Sequence, residues 1–232
     1  MLQLVRNIYG GTIKPKNIET AIYSKPGNKI ILLLKIFFVK IILSYSLVFF
    51  LSFFKNFENN TVQSIEEDFG LQLSFLIVVI IVPIYEEIIF RLPLVYRPIN
   101  LALSVFGLCY FFLSSFIFGS NFLTLDINLF YKLVFSLVVA LSVYFGGKRF
   151  SRLGSFWNGN FQVIYYSSIL LFGFAHILNF KINFENYYLL PLVISPHLLA
   201  GIILNYIRIK LGFLFCCLFH IFNNLFVFIL TI

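Results

Sequence analysis

Two adjacent carboxylates and a guanidinium, Glu86, Glu87 and Arg91, stand in the run Ile84-Tyr85-Glu86-Glu87-Ile88-Ile89-Phe90-Arg91, inside an apolar stretch that begins near Leu71. A charge at the centre of a bilayer costs about 2.5–3.5 kcal/mol on insertion scales, so intramembrane ionisable residues mark functional sites by default. Helical spacing divides the roles. Residues four apart share a face, while neighbours diverge by about 100°. Glu87 and Arg91 are i and i+4 with the acid on the N-terminal side, the favoured order for an ion pair. Glu86 has only Ile89 and Phe90 at i+3 and i+4. Arg91 is therefore expected to hold Glu87, leaving Glu86 to face whatever the protein acts on. The plainer alternative is an interhelical salt bridge, with both acids neutralised by groups distant in sequence.

Few other polar groups lie at depth. His176 ends Phe172-Gly173-Phe174-Ala175-His176, with Asn179 one turn on. His220 and Asn224 share a face, and His197 follows Ser195-Pro196 at an expected helix break. A lone histidine in an apolar helix is more often hydrogen-bonded packing than chemistry, and His197 is read that way. Glu86, His176, His220 and Asn224 supply the residue types that water activation and oxyanion stabilisation call for. Two histidines and a glutamate are equally a zinc ligand set, so Glu86, His176 and His220 are also candidate ligands for zinc or another divalent metal. The single-helix His-Glu-x-x-His motif is absent, as is Gly-x-Ser-x-Gly. Cys109, Cys216 and Cys217 form no CxxC pair and are expected to pack as small buried residues.

The elements that must position these residues are membrane helices. The chain is 60% hydrophobic and 11% charged, against about 45–50% and about 25% in soluble domains. Apolar runs near spanning length recur throughout. The expected spans are 30–54, 70–93, 99–118, 129–146, 161–180, 187–207 and 211–231, giving an all-α polytopic bundle of about seven transmembrane helices. Residues 1–29 read as a basic cytoplasmic arm and 30–232 as one membrane-embedded domain, without a signal-peptide core. Lys35 and Lys40 in the first span are expected to snorkel or to line a polar face. Pro83, one turn before the carboxylates, is expected to kink its helix and free backbone carbonyls near the site.

The net charge of +8 does not point to nucleic acid, because it is spread over short loops. Arg97, then Lys148, Arg149 and Arg152, then Arg208 and Lys210 alternate with the acidic segment 55–69, with Asp126, and with the mixed Lys181 and Glu185. This pattern places the N-terminus in the cytoplasm and the C-terminus outside. It reads as an integral multi-pass protein of the cell (inner) membrane, with the lipid bilayer as a partner.

Taken in order, Glu86-Glu87-x-x-x-Arg91, Phe172-x-x-x-His176 and His220-x-x-x-Asn224 resemble the three motifs of the CPBP family. These are the type II CAAX prenyl proteases and the bacteriocin-processing or Abi-type membrane proteins. The flanks Phe172-Gly-Phe-Ala-His-Ile-Leu-Asn179 and Ala200-Gly-Ile-Ile-Leu-Asn-Tyr-Ile-Arg208 are similar to family sequence, and the resemblance spans about residues 75 to 232. It implies an intramembrane endopeptidase acting on a membrane-associated peptide or protein; lipidated CAAX-like peptides are substrates of eukaryotic relatives. By analogy, Glu86 and His176 would activate the water, His220 and Asn224 would stabilise the oxyanion, and Glu87 and Arg91 would support them. Metal and glutamate mechanisms both stay open. A non-enzymatic immunity or scaffold protein is the alternative, and a proton-coupled transporter a further one. The spans also pose a geometric question. They set His176 deeper from the cytoplasmic side than Glu86, so the helix 161–180 is expected to tilt, kink or begin in the interface.

Overall fold

The computed structural model describes residues 6–8, 10–11, 26–51, 65–67, 69–120, 123, 126–150, 152–180 and 188–231. Most of the basic arm, most of segment 55–69 and all of 181–186 lie outside these. The chain is an all-α polytopic membrane bundle. Helix α1 covers Pro26–Leu51. The apolar helices that follow are α2 (Leu71–Leu94), α3 (Pro98–Ile117) and α4 (Leu129–Arg149). After the short α5 (Arg152–Gly159) come α6 (Phe161–Asn179), α7 (Leu190–Leu211) and α8 (Phe213–Leu230). Six of these are long and apolar enough to cross a membrane. Helix α1 rises about 39 Å at 1.5 Å per residue and takes the place of the first expected span. Among the described residues there is no strand.

The burial pattern is that of a chain folded in lipid. Glu87, Arg91, Lys132, Asn205, Arg208 and His220 are buried, while Phe38, Phe130, Phe145 and Val163 are exposed. Polar groups therefore face inward and apolar ones outward, as the bilayer requires. Helices α2, α6, α7 and α8 surround the inner core, where Phe90, Phe172, Ile203 and Phe219 pack together with Ile36 and Phe37 of α1. Helices α3 and α4 pair beside it, and Tyr85 ties α2 to α3 by donating to Gly107 O at 2.7 Å. The start of α4 is pinned to the loop before it, because Lys132 Nζ bonds Asp126 Oδ2 at 2.9 Å and Ser120 Oγ at 3.2 Å.

Three prolines interrupt these helices, and at each one a side chain takes up the carbonyl left without a partner. Helix α2 runs as a π-helical segment over Leu76–Ile81, where the Val82 N–H bonds back to Ile77 O. Val78 O would next look to residue 83, a proline without an N–H; Asn224 Nδ2 from α8 donates to it at 3.1 Å. The expected freed carbonyl is thus present, and the distortion takes the form of a π turn. At the other end of α2, Pro93 cannot serve Ile89 O, and Ser104 Oγ of α3 donates there instead. Ser168 Oγ of α6 serves Phe90 O at 2.7 Å, and Arg208 Nε of α7 serves Arg91 O at 3.0 Å.

The expected break at Ser195-Pro196 does not occur. Helix α7 continues through Pro196, because the carbonyl four residues back, Leu192 O, is taken by the Ser195 hydroxyl. Close packing also needs Gly173, since a Cβ there would stand 2.5 Å from Leu198 Cδ2. That contact draws α6 onto α7.

Candidate functional site

Glu86, Glu87 and Arg91 lie on the α-helical part of α2, Val82–Phe90 and its cap. His176 starts the 3-10 turn that ends α6, and His220 and Asn224 lie on α8. Glu86, Glu87, Arg91, His176 and His220 come together there. His176 Nε2 stands 3.7 Å from Glu86 Oε1, and His220 Nε2 stands 3.5 Å from Glu86 Oε2. The Glu86 side chain keeps 18% exposure and that of Glu87 none, so only Glu86 can meet a solvent molecule or a substrate.

The depth mismatch between Glu86 and His176 closes through side-chain direction. Ser168 reaches Phe90 O and His176 reaches Glu86, so α6 and α2 run antiparallel. Eight residues on one helix against four on the other leave about 6 Å at 1.5 Å per residue. Helical side chains lean toward their own N-terminus, so in an antiparallel pair Glu86 and His176 lean toward each other. The α-helical part of α6 runs unbroken over Phe161–Ala175.

Hydrogen bonding sets the histidine tautomers. Phe172 O only accepts, so His176 Nδ1 carries the proton of their 2.8 Å bond. His220 Nδ1 donates to Glu87 Oε1 at 2.8 Å. In their neutral forms both rings therefore present an Nε2 lone pair toward Glu86. Three acceptors facing one point is an arrangement that a water proton, or a proton held on one of them, completes. Phe172 packs edge-on to both rings, with centroids at 4.5 Å and 6.0 Å.

Glu87 is a supporting group. Arg91 Nη1 lies 3.7 Å from its Oε1, and both side chains are wholly buried. The Arg91 guanidinium also sits 3.9 Å over the Phe172 ring. The Cys216 thiol donates to Glu87 Oε2 at 2.8 Å, one turn before His220. Asn224 does not touch Glu86; one of its amide protons is committed to Val78 O, and the second remains for another acceptor.

Two further residues reach the site through partners that the sequence reading did not give. His197, expected to pack, stacks its ring on His176 at 4.0 Å and 25°. Its signal was a histidine beside a proline in an otherwise apolar helix. Cys216 is buried, as expected of it; its bond to Glu87 had as its only signal the i−4 position relative to His220.

The donor types around Glu86 suit zinc, and the Nδ1 bonds of both imidazoles are the outer support that metal-bound histidines use. Among the described residues no group of three or more His, Cys, Asp or Glu side chains has the spacing of a preformed metal site. No reaction step below is routed through a metal. Comparison with family models, curated proteins and solved structures gives no match to this chain.

Proposed function

We propose that this chain is an intramembrane endopeptidase of the CPBP type, which hydrolyses a peptide bond in a membrane-associated peptide or protein. The observation that carries this reading is the convergence of one partly exposed carboxylate, Glu86, with the Nε2 atoms of His176 and His220. Two acceptors 3.5 to 3.7 Å apart can share one water at about 2.8 Å from each. Glu86 takes a proton from that water, oriented by His176. The water oxygen bonds to the peptide carbonyl carbon, and the carbonyl electron pair moves onto its oxygen. His220, protonated on Nε2 with Glu87 as counter-charge, and the second amide proton of Asn224 receive the oxyanion. Collapse re-forms the carbonyl and breaks the C–N bond, and the proton held by Glu86 passes to the departing amine.

Arg97, Lys148, Arg149, Arg152, Arg208 and Lys210 would face the cytoplasm with the N-terminus, in a cell (inner) membrane. The test is cleavage of a quenched fluorescent membrane-peptide library by purified protein in lipid. Wild type should cleave at least one sequence, His220→Ala should not, and a chelator should leave the rate unchanged. Loss of cleavage on chelation would replace the carboxylate mechanism with a metal one held by Glu86, His176 and His220. No cleavage by folded wild type would overturn the peptidase reading.

A further inference from the structure

Lys40 carries a charge that the mechanism above does not use. It lies in α1 (Pro26–Leu51), half-buried, and its ammonium turns inward to donate to Asn223 Oδ1 of α8. Asn223 Nδ2 then donates to Asn224 Oδ1 at 3.3 Å, and Asn224 Nδ2 to Val78 O at 3.1 Å. These bonds run in one direction, from the cation to the carbonyl left by Pro83. The chain fixes the ammonium one turn along α8 from His220.

Every other buried cation near the core has a carboxylate, a backbone carbonyl or an aromatic face. Arg91 has Glu87, Lys132 has Asp126, and Arg208 has Arg91 O and the Phe213 ring. Among the described residues no carboxylate lies within salt-bridge distance of Lys40. A snorkelling lysine would carry its head toward the interface; this one is held inside by a neutral amide. An ammonium at such depth is costly unless an anion meets it. An amide acceptor uses one of its three N–H donors.

We infer that Lys40 is the receptor for a carboxylate on the substrate, placed a short way along the chain from the bond lying over Glu86. The inference rests on the peptidase reading. The shared chemistry is a carboxylate, which a substrate can supply from an Asp or Glu side chain or from a free C-terminus. Three donors on a flexible stem suit either source, whereas a bidentate fork is not required. The contact acts on substrate recognition, so it belongs to binding rather than to bond breaking.

The test uses apolar single-span peptides made uncleavable by a reduced peptide bond, with three ends: neutral and amidated, neutral with a free C-terminal carboxylate, and amidated with one Glu. Binding to wild type, Lys40→Gln and Lys40→Arg in lipid is measured by fluorescence. Wild type should bind one or both carboxylate peptides about tenfold or more tightly than the neutral amide. Lys40→Gln, which can keep the bond to Asn223, should lose that preference while binding the neutral amide unchanged, and Lys40→Arg should retain most of it. Which carboxylate peptide gains shows whether the side chain or the terminus is read. Equal binding of all three peptides by wild type, or an undiminished preference in Lys40→Gln, overturns the inference. Because these peptides are not cut, a preference that depends on Lys40 would stand even where no cleavage is found. Conversely, a cleaving enzyme whose KM ignores both substrate charge and Lys40 would sink this inference and leave the peptidase reading intact.

Discussion

Replacing Arg91 by Met removes the permanent positive charge that lies beside Glu87. Both side chains are wholly buried, with Nη1 3.7 Å from Oε1, so the variant leaves a buried carboxylate without its guanidinium. Breaking a buried pair from one side costs about 3–5 kcal/mol. The low end applies, because His220 and Cys216 still reach Glu87 at 2.8 Å each. The cost includes about 2 kcal/mol from the lost stacking of the guanidinium over Phe172. Most of the remainder belongs to the stranded charge, so neutralising that charge should recover it. The double variant Glu87→Gln/Arg91→Met is therefore expected to be more stable than Arg91→Met alone by about 1 kcal/mol, despite carrying one more substitution. The assay is reversible denaturant unfolding in mixed micelles, run as a double-mutant cycle. Costs that add to within about 0.5 kcal/mol would refute the claim that Arg91 acts by compensating Glu87.

Other consequences are more local. Gly173→Val places a branched side chain where Leu198 Cδ2 would lie 2.5 Å from its Cβ; overpacking of this kind costs about 1–3 kcal/mol, read as a lowered thermal midpoint. It should also weaken any activity, since the same contact holds His176 against His197. In the loop between α3 and α4, the hydrogen bond from Lys132 holds the Asp126 carboxyl below the usual carboxylate range. A depressed carboxyl contributes stability that is full above about pH 4 and is lost as the pH falls through its folded value. The thermal midpoint should therefore drop on acidification below about pH 4 by more in wild type than in Asp126→Asn; equal drops would remove the pair from the account.

The helices were legible because their apolar runs are long and their ends are marked by charge or proline. Expected and observed spans differ by a few residues at most of their ends. The pairing of Glu87 with Arg91 followed from i, i+4 spacing alone, and the meeting of Glu86 with two histidines was the expectation of a motif resemblance. What could not be read were contacts whose partners are remote in sequence. Ser195 rescues the carbonyl that Pro196 abandons, so the break expected there is a continuous helix. Whether a proline breaks a membrane helix depends on who takes its orphan carbonyl, and sequence spacing does not announce the candidate. The partners of Cys216, His197 and Lys40 were hidden for the same reason: each is a single polar group in an apolar segment, and its contacts come only from what the fold sets opposite it.

The central claim is that Glu86 is the base that acts on water. It is tested most directly by single-turnover cleavage of one library-derived peptide by wild type and Glu86→Gln, matched for thermal midpoint in the same lipid. The isosteric amide keeps the size of the side chain and cannot accept the proton. A positioned general base contributes about 10²–10⁴ in rate, so the account predicts a loss in that range with peptide binding retained. An unchanged rate in Glu86→Gln would contradict it.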